Sequence, residues 1–315
     1  MAVHIGYTWI VSGYIGMDCA MMRGTRVLIT GAHGLLGKYL LDTSPTGMHV
    51  IGSYHEHAPV TGLKMNITRY DDVLDAFQRF QPDIVIHCAA YGSVDYCERH
   101  EDVAREVNVG GTETILRVAE AFDAKVVYIS SNAVYDGDIP PYFESSTRTP
   151  VNVYGRLKVE AEDAVRIYNG RWMIVRPIML YGWPNPGARG NWVTRAVSFM
   201  ADGMPVHVVS DVITMPTYAK DLATIIWKLL ELHKSGEWNI GGYERMHLYM
   251  FITDIARVWG FPENLVKIVP PDHFKDLAPR PIDTSYDMSK LWNLEDESLR
   301  PSSVLNGLRS MWNAS

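Results

Sequence analysis

Apolar residues along this chain fall into two alternating rhythms. Short runs rich in Val and Ile read as strands: "RVLIT" (26–30), "HVIGS" (49–53), "DIVIHCAA" (83–90), "KVVYISS" (125–131) and "WMIVRP" (172–177). Between them, apolar positions recur three and four apart in "LLGKYLLD", "DDVLDAFQRF", "AREVNVGGTETILRVAEAF" and a segment opening near Asn152, which predicts helices. Strands that are apolar throughout are buried on both faces, as in a parallel sheet covered by helices. The predicted class is therefore α/β, a Rossmann-type doubly wound parallel sheet.

After Pro177 the texture changes. "MLYGWPNPGARGNW" (179–192) is a Gly/Pro-rich loop, followed by mixed short elements and the helix "DLATIIWKLLELH" (221–233). "EWNIGG" (237–242) reads as a strand that could rejoin the main sheet. Residues 25–177 are thus expected to form a dinucleotide-binding domain. Residues 178–315 are expected to be mainly a smaller, interleaved substrate-binding region, with some elements returning to the sheet. The opening "MAVHIGYTWIVSGYIGMDCAMMRG" lacks a basic leader and is too broken by glycines to span a bilayer, so 1–24 is read as an extension without chemistry. The chain holds no internal repeat.

Composition narrows the partners. With 315 residues, 47% of them apolar and 21% charged, this is the make-up of a globular protein with a sizeable core. The net charge of −7 and the lack of any Lys/Arg run argue against a nucleic-acid or membrane surface, so an anionic ligand must be held by a local pocket. Cys19, Cys88 and Cys97 are odd in number and form no C-x-x-C pair, which fits a reducing cytoplasm. "HEH" (55–57) reads as a polar loop after a strand, and no metal site is expected.

"VLITGAHGLLGKYLL" sets Gly31, Gly34 and Gly37 between the first strand and the first helix. Gly31 permits a tight turn, Gly34 lets backbone approach a pyrophosphate and Gly37 allows close helix–sheet packing, while the helix N-terminus favours phosphate. His33, Leu35 and Leu36 complete this cradle. The position that would hold a free ribose 2′-hydroxyl falls at "GSYHEH". Ser53 and Tyr54 offer no carboxylate there, which favours NADP(H), with NAD(H) as the alternative. Asn66 and Ile67 of "MNIT" are placed beside the adenine. "CAAYGSVDY" supplies Cys88, Ala89, Ala90 and Tyr91 as a floor for the cofactor, with Asn108 in the next helix.

"VNVYGRLKVE" (151–160) puts Tyr154 and Lys158 one helical turn apart on one face. A free phenol, with a pKa of about 10, is a poor proton donor–acceptor near neutrality, and a neighbouring ammonium lowers that value. "YISSNAVYDG" places Ser130 and Ser131 at the carboxyl edge of a strand, where open α/β sheets bind ligands.

From Arg26 to Leu291 the chain resembles the extended short-chain dehydrogenases/reductases, and within them the dTDP-4-dehydrorhamnose reductases. The resemblance rests on "TGAHGLLG", "CAAYGSVDYCE", "VNVGGT", "SSNAVYDG", "TPVNVYGRLKVEAE", "MPTYAKDLA" and "RPIDTSYDMSKL". It implies a catalytic set of Ser131, Tyr154 and Lys158, in which Ser131 and Tyr154 hold a ketone oxygen, Tyr154 donates its proton, and Lys158 also reaches the nicotinamide ribose. It further implies a 4-keto-6-deoxy nucleotide sugar as substrate, with Val94, Ser131, Asn132, Met179, Arg189 and Arg280 around it. Arg176, Arg189, Arg195 and Arg280 are candidates for the diphosphate, and Arg176 also for the cofactor. Departures from the family pattern touch the sugar: Met179 stands where a tryptophan is usual, Asn132 where an aspartate is common, and "DVITMPT" lacks the usual glutamine.

Two other readings share these motifs. Epimerases of the superfamily usually show Phe-Asn where this chain has "RPIML", and dehydratases Asp-Glu where Asn132-Ala133 stands. The regulatory β subunit of methionine adenosyltransferase is similar to these reductases and acts as a binding module. Members of the superfamily often form homodimers through helices that include the Tyr-x-x-x-Lys helix, so the resemblance leaves a homodimer open, and the sequence does not fix the oligomer.

Overall fold

The apolar runs become strands β1 (Arg26–Thr30), β2 (His49–Tyr54), β4 (Ile84–His87), β5 (Lys125–Ile129) and β6 (Trp172–Pro177), with a two-residue β3 (Leu63–Lys64) after β2, in a computed structural model that describes residues 22–56, 62–274 and 277–314. Three short ones follow, β7 (Leu180–Tyr181), β8 (Val206–Val208) and β9 (Ile213–Thr214), then β10 (Thr217–Tyr218), β11 (Gly236–Ile240), β12 (Met246–His247) and β13 (Val266–Ile268). Among the described residues seven strands form one sheet in the order β11-β6-β5-β4-β1-β2-β3, every pair parallel. The order reverses between β1 and β4. Chains leaving those two strands diverge, and the crevice at their carboxyl ends is where such sheets bind ligands.

Side chains alternate across the sheet and divide the core in two. Val27 and Ile29 of β1 join Ile86, Val127 and Val175 under the helices Leu35–Asp42, Ala219–Glu231 and Leu248–Trp259. Leu28 faces the other way, with Val85, Val126, Tyr128 and Ile174, against the helices Tyr70–Phe80, Gly111–Ala121 and Val153–Arg166. Every residue of β4 and β5 is buried, which is why these segments read as unbroken apolar runs.

The sequence 104–122, predicted as one helix, is interrupted. Glu101–Arg105 and Gly111–Ala121 are α-helical, and Glu106–Gly110 between them forms a π-turn. Asn108 lies in that turn, and its side-chain amide holds both backbone groups of Tyr91 (2.7 and 3.1 Å). Widened turns of this kind are frequent at functional sites. The N-terminal extension lies outside the described residues except at its end. Met22, assigned to it from the sequence, packs into the main core, and the Gly24 amide donates to Gly47 O (2.8 Å), so the folded unit begins before Arg26. Among the described residues no helix is long and apolar enough to cross a membrane.

Candidate active site

The turn after β1 is shaped by one residue that only glycine can supply. Gly31 has φ +65°, and a Cβ there would lie 2.8 Å from the Ala89 backbone, so the loops leaving β1 and β4 touch. Gly34 is the N-cap of the helix Leu35–Asp42 and no side chain caps that end. The first amides of the helix, at Leu35 and Leu36, therefore point out of it, where the dipole favours an anion. A Cβ on Gly34 would meet only Gly31 O, at 3.2 Å, so the face beyond it is open. The main-chain oxygen of His33 accepts a hydrogen bond from Asn185 (3.1 Å), tying the Gly/Pro-rich loop to this cradle.

At the end of β2, Ser53 is buried and its carbonyl accepts from the Ala32 amide (3.1 Å), while Tyr54 stays partly exposed. Asn66 caps its own turn through the Thr68 amide and hydroxyl (3.0 Å each). Ile67, placed beside the adenine from the sequence, instead turns its side chain into the core, against Gly111. His55, Lys64, Asn66 and Arg69 line a cavity of about 470 Å³ together with Asp71, Asp72 and Asp75. Neither cation was singled out from the sequence: strand pairing brings Lys64 opposite Tyr54 in the β2–β3 register, and Arg69 stands at the N-cap of the helix Tyr70–Phe80.

The floor is held by a buried chain of hydrogen bonds whose direction is fixed at both ends. The Ala89 amide donates to Thr30 Oγ1 (3.1 Å), whose hydroxyl lies 2.7 Å from His87 Nδ1. His87 Nε2 lies 3.2 Å from Thr112 Oγ1, and that hydroxyl donates to Asn108 O (2.7 Å). His87 must then be protonated on Nε2 and accept on Nδ1, and burial pushes its pKa down to about 3, so it stays neutral. Cys88 is partly exposed at the mouth, Ala89 and Ala90 likewise, and Tyr91 more so. Burial pushes the Cys88 thiol up to about 12.

Ser131 follows β5, and its hydroxyl accepts from the Ala133 amide (3.1 Å) and donates to Asn132 Oδ1 (3.3 Å). Asn152 caps the helix Val153–Arg166 by accepting from the Gly155 amide (2.8 Å). A Cβ at Gly155 would lie 2.1 Å from Ala133 O, so the glycine lets this helix press against the Ser131 turn. Tyr154 and Lys158 thereby arrive beside Ser131. Lys158 is buried; its ammonium donates to Ile129 O (2.8 Å) and sits 4.7 Å from the centre of the Tyr128 ring and 5.9 Å from that of Tyr154.

The electrostatics correct one expectation. Tyr154, partly open to the cleft, is pushed up to about 12 by burial, opposed by the Ser131 hydroxyl and more weakly by Arg189. The Lys158 ammonium donates to the Ile129 carbonyl and not to the phenol, whose ring centre lies 5.9 Å away. Burial pushes Lys158 itself down to about 8, with the Glu162 carboxylate opposing.

Arg176 is the other correction. Expected near cofactor or diphosphate, it is fully buried and forked onto Glu162 (2.7 Å at both nitrogens), with Glu237 at 2.6 Å and the Tyr135 hydroxyl at 2.9 Å. The outer arginines differ. Arg280 binds Asp95 (2.8 Å) beside Val94 at the start of the helix Val94–Arg99, and Arg189 passes near Gly92. Arg195 has its pKa lowered by desolvation and then by Arg189 and Arg280. Three guanidiniums thus share one mouth. Asn132 is held by Thr284 (2.6 Å), and Met179 adopts φ +36°, a left-handed conformation costly for a side-chain-bearing residue.

Residues 25–304 match the family described as the RmlD substrate binding domain. The chain belongs to that family. The dTDP-4-dehydrorhamnose reductase of Bacillus anthracis str. Ames, solved in complex with NADP, superposes with a TM-score of 0.83 at 29% identity, covering 93% of this chain and 100% of that one. Methionine adenosyltransferase 2 subunit beta of Xenopus tropicalis is 30% identical over 307 residues, 94% of this chain and 90% of its own length. The spore coat polysaccharide biosynthesis protein SpsK of Bacillus subtilis (strain 168) is 31% identical over 288 residues, 90% and 96% of the two chains. Proteins similar to this chain are thus named both for polysaccharide biosynthesis and for a subunit role.

Proposed function

We propose that this RmlD-family protein reduces the ketone of a 4-keto-6-deoxy nucleotide sugar, with NADP(H) favoured over NAD(H). The observation that carries the reading is the convergence of Ser131, Tyr154 and Lys158 at the carboxyl end of β5, beside a glycine cradle open at Gly34. A dinucleotide fits that cradle, since the uncapped helix end and the bare Gly34 backbone match a pyrophosphate. When bound, it supplies the hydride. Ser131 orients the ketone oxygen by hydrogen bonding, and Tyr154 holds a proton on its hydroxyl for that oxygen. The phenol, pushed up to about 12, carries its proton at neutral pH, and it hands that proton over only as negative charge develops on the ketone oxygen. Lys158, pushed down to about 8, remains mostly protonated there and stands ready for a ribose hydroxyl. Arg189, Arg195 and Arg280 receive the diphosphate. Residues 25–177 carry the cofactor side and 178–315 mainly the substrate side.

A screen of 4-keto-6-deoxy nucleotide sugars, following oxidation of NADPH and NADH, tests this reading. Turnover of one such compound with NADPH supports it, and no oxidation with any of them refutes it. A second reading, a non-catalytic subunit, is favoured by the likeness to the methionine adenosyltransferase β subunit over 94% of this chain. Tight binding to a methionine adenosyltransferase catalytic subunit, together with no reductase turnover, would establish that reading instead.

A further inference from the structure

Below the catalytic trio lies a carboxylate that no step has used. Glu162 is fully buried, one turn beyond Lys158 on the same helix. It accepts two hydrogen bonds from Arg176 (2.7 Å each) and one from the Ser130 hydroxyl (2.6 Å). Arg148 approaches at 3.3 Å and Arg166 at 3.6 Å. Ser130 is the residue before Ser131, and its amide donates to Val175 O (2.7 Å). One carboxylate therefore joins the helix of Tyr154 and Lys158 to the strand end of Ser131 and, through Arg176 and Glu237, to β6 and β11.

The charge balance around Lys158 adds a second role. Facing its ammonium are Tyr128 from β5, His87 and Cys88 from the end of β4, Cys97 from the helix Val94–Arg99, and Tyr154 and Glu162 from its own helix. His87 is neutral at about 3, Cys88 and Tyr154 are protonated at about 12, and Cys97 and Tyr128 are pushed upward by burial. Of these groups Glu162 is the one carboxylate, and Arg176 is forked onto it (2.7 Å at both nitrogens). An opposite charge close to a buried ammonium favours its protonated form.

We propose that Glu162 is a positioning residue, whose carboxylate locks Ser130 so that Ser131 faces Tyr154 and whose charge keeps the Lys158 ammonium protonated. The inference rests on the reductase reading for its kinetic arm only. In ligand-free protein carrying ¹³C-labelled lysine, assigned with Lys158→Met, the Lys158 resonance should titrate about tenfold more acidic in Glu162→Gln than in wild type. An unchanged titration overturns the proposal. In turnover, the loss of kcat with rising pH should move to lower pH in Glu162→Gln, whereas a purely structural carboxylate would lower the rate without moving that limb. Should Glu162→Gln fail to fold, Ser130→Ala decides: kcat should fall with KM for the sugar nucleotide unchanged, and wild-type kcat overturns the proposal. A wild type that reduces no sugar nucleotide refutes the reductase reading, while the lysine titration still decides the role of Glu162.

Discussion

Replacing Lys158 by methionine should make the ligand-free protein more stable while removing its function. Folding moves the lysine from its ordinary 10.5 to about 8, because burial disfavours the charged form. At about 1.4 kcal/mol per pH unit, this is about 3 kcal/mol of stability lost at neutral pH to keep an ammonium inside. Methionine has a similar length and no charge, but it leaves Ile129 O without its donor, which returns about 1 kcal/mol. The net expectation is stabilisation of about 2 kcal/mol at pH 7. The sign of the pH dependence follows from the lowered pKa. Below about 8 the lysine is protonated in both folded and unfolded chains, and the burial cost is felt in full. Between about 8 and 10.5 the folded form loses its proton first, so wild type gains stability with rising pH and the advantage of the variant shrinks. Urea unfolding of both proteins at pH 7 and at an alkaline pH, with matching m-values, measures the difference. A variant less stable than wild type at pH 7, or a gap that does not shrink on the alkaline side, would refute the reasoning.

Gly34→Val should abolish measurable dinucleotide affinity by calorimetry while the thermal transition stays near that of wild type, because a Cβ there meets only Gly31 O at 3.2 Å. Gly31→Ala should instead damage the fold, since φ is +65° and the Ala89 backbone lies 2.8 Å from the added carbon. Arg176→Gln should cost about 3–5 kcal/mol in urea unfolding by leaving Glu162 buried without its forked partner. Loss of cofactor affinity with unchanged stability in that variant would return Arg176 to the cofactor.

The pattern of apolar runs was enough to place strands β1, β2, β4, β5 and β6 and the helix Leu35–Asp42, because a two-sided core leaves little freedom in which residues face it. "EWNIGG" supplied β11, which pairs with β6 in the central sheet. Less legible were features set by contacts between distant segments. The π-turn at Glu106–Gly110 depends on Asn108 reaching Tyr91, and periodicity alone reads through it as helix. Arg176 lies at a strand end where ligands bind, yet Glu162 from another helix claims its guanidinium, and nothing within "WMIVRP" announces that partner. Tyr154 and Lys158 could be set on one helix face from their spacing. Which group holds the ammonium could not, because its acceptor, Ile129 O, belongs to the backbone of a strand. The two-residue pairs β7–β10 and β9–β12 are likewise too short to leave a period in the sequence.

The central claim is that the Tyr154 hydroxyl protonates the ketone oxygen of a sugar nucleotide. The direct measurement is single-turnover reduction of a 4-keto-6-deoxy nucleotide sugar by Tyr154→Phe loaded with NADPH, beside wild type. The phenyl ring keeps the packing and removes only the proton donor, so the rate should fall by about 10²–10⁴-fold or more, with NADPH affinity within a few-fold of wild type. A Tyr154→Phe protein that reduces the sugar at close to the wild-type rate would contradict the claim.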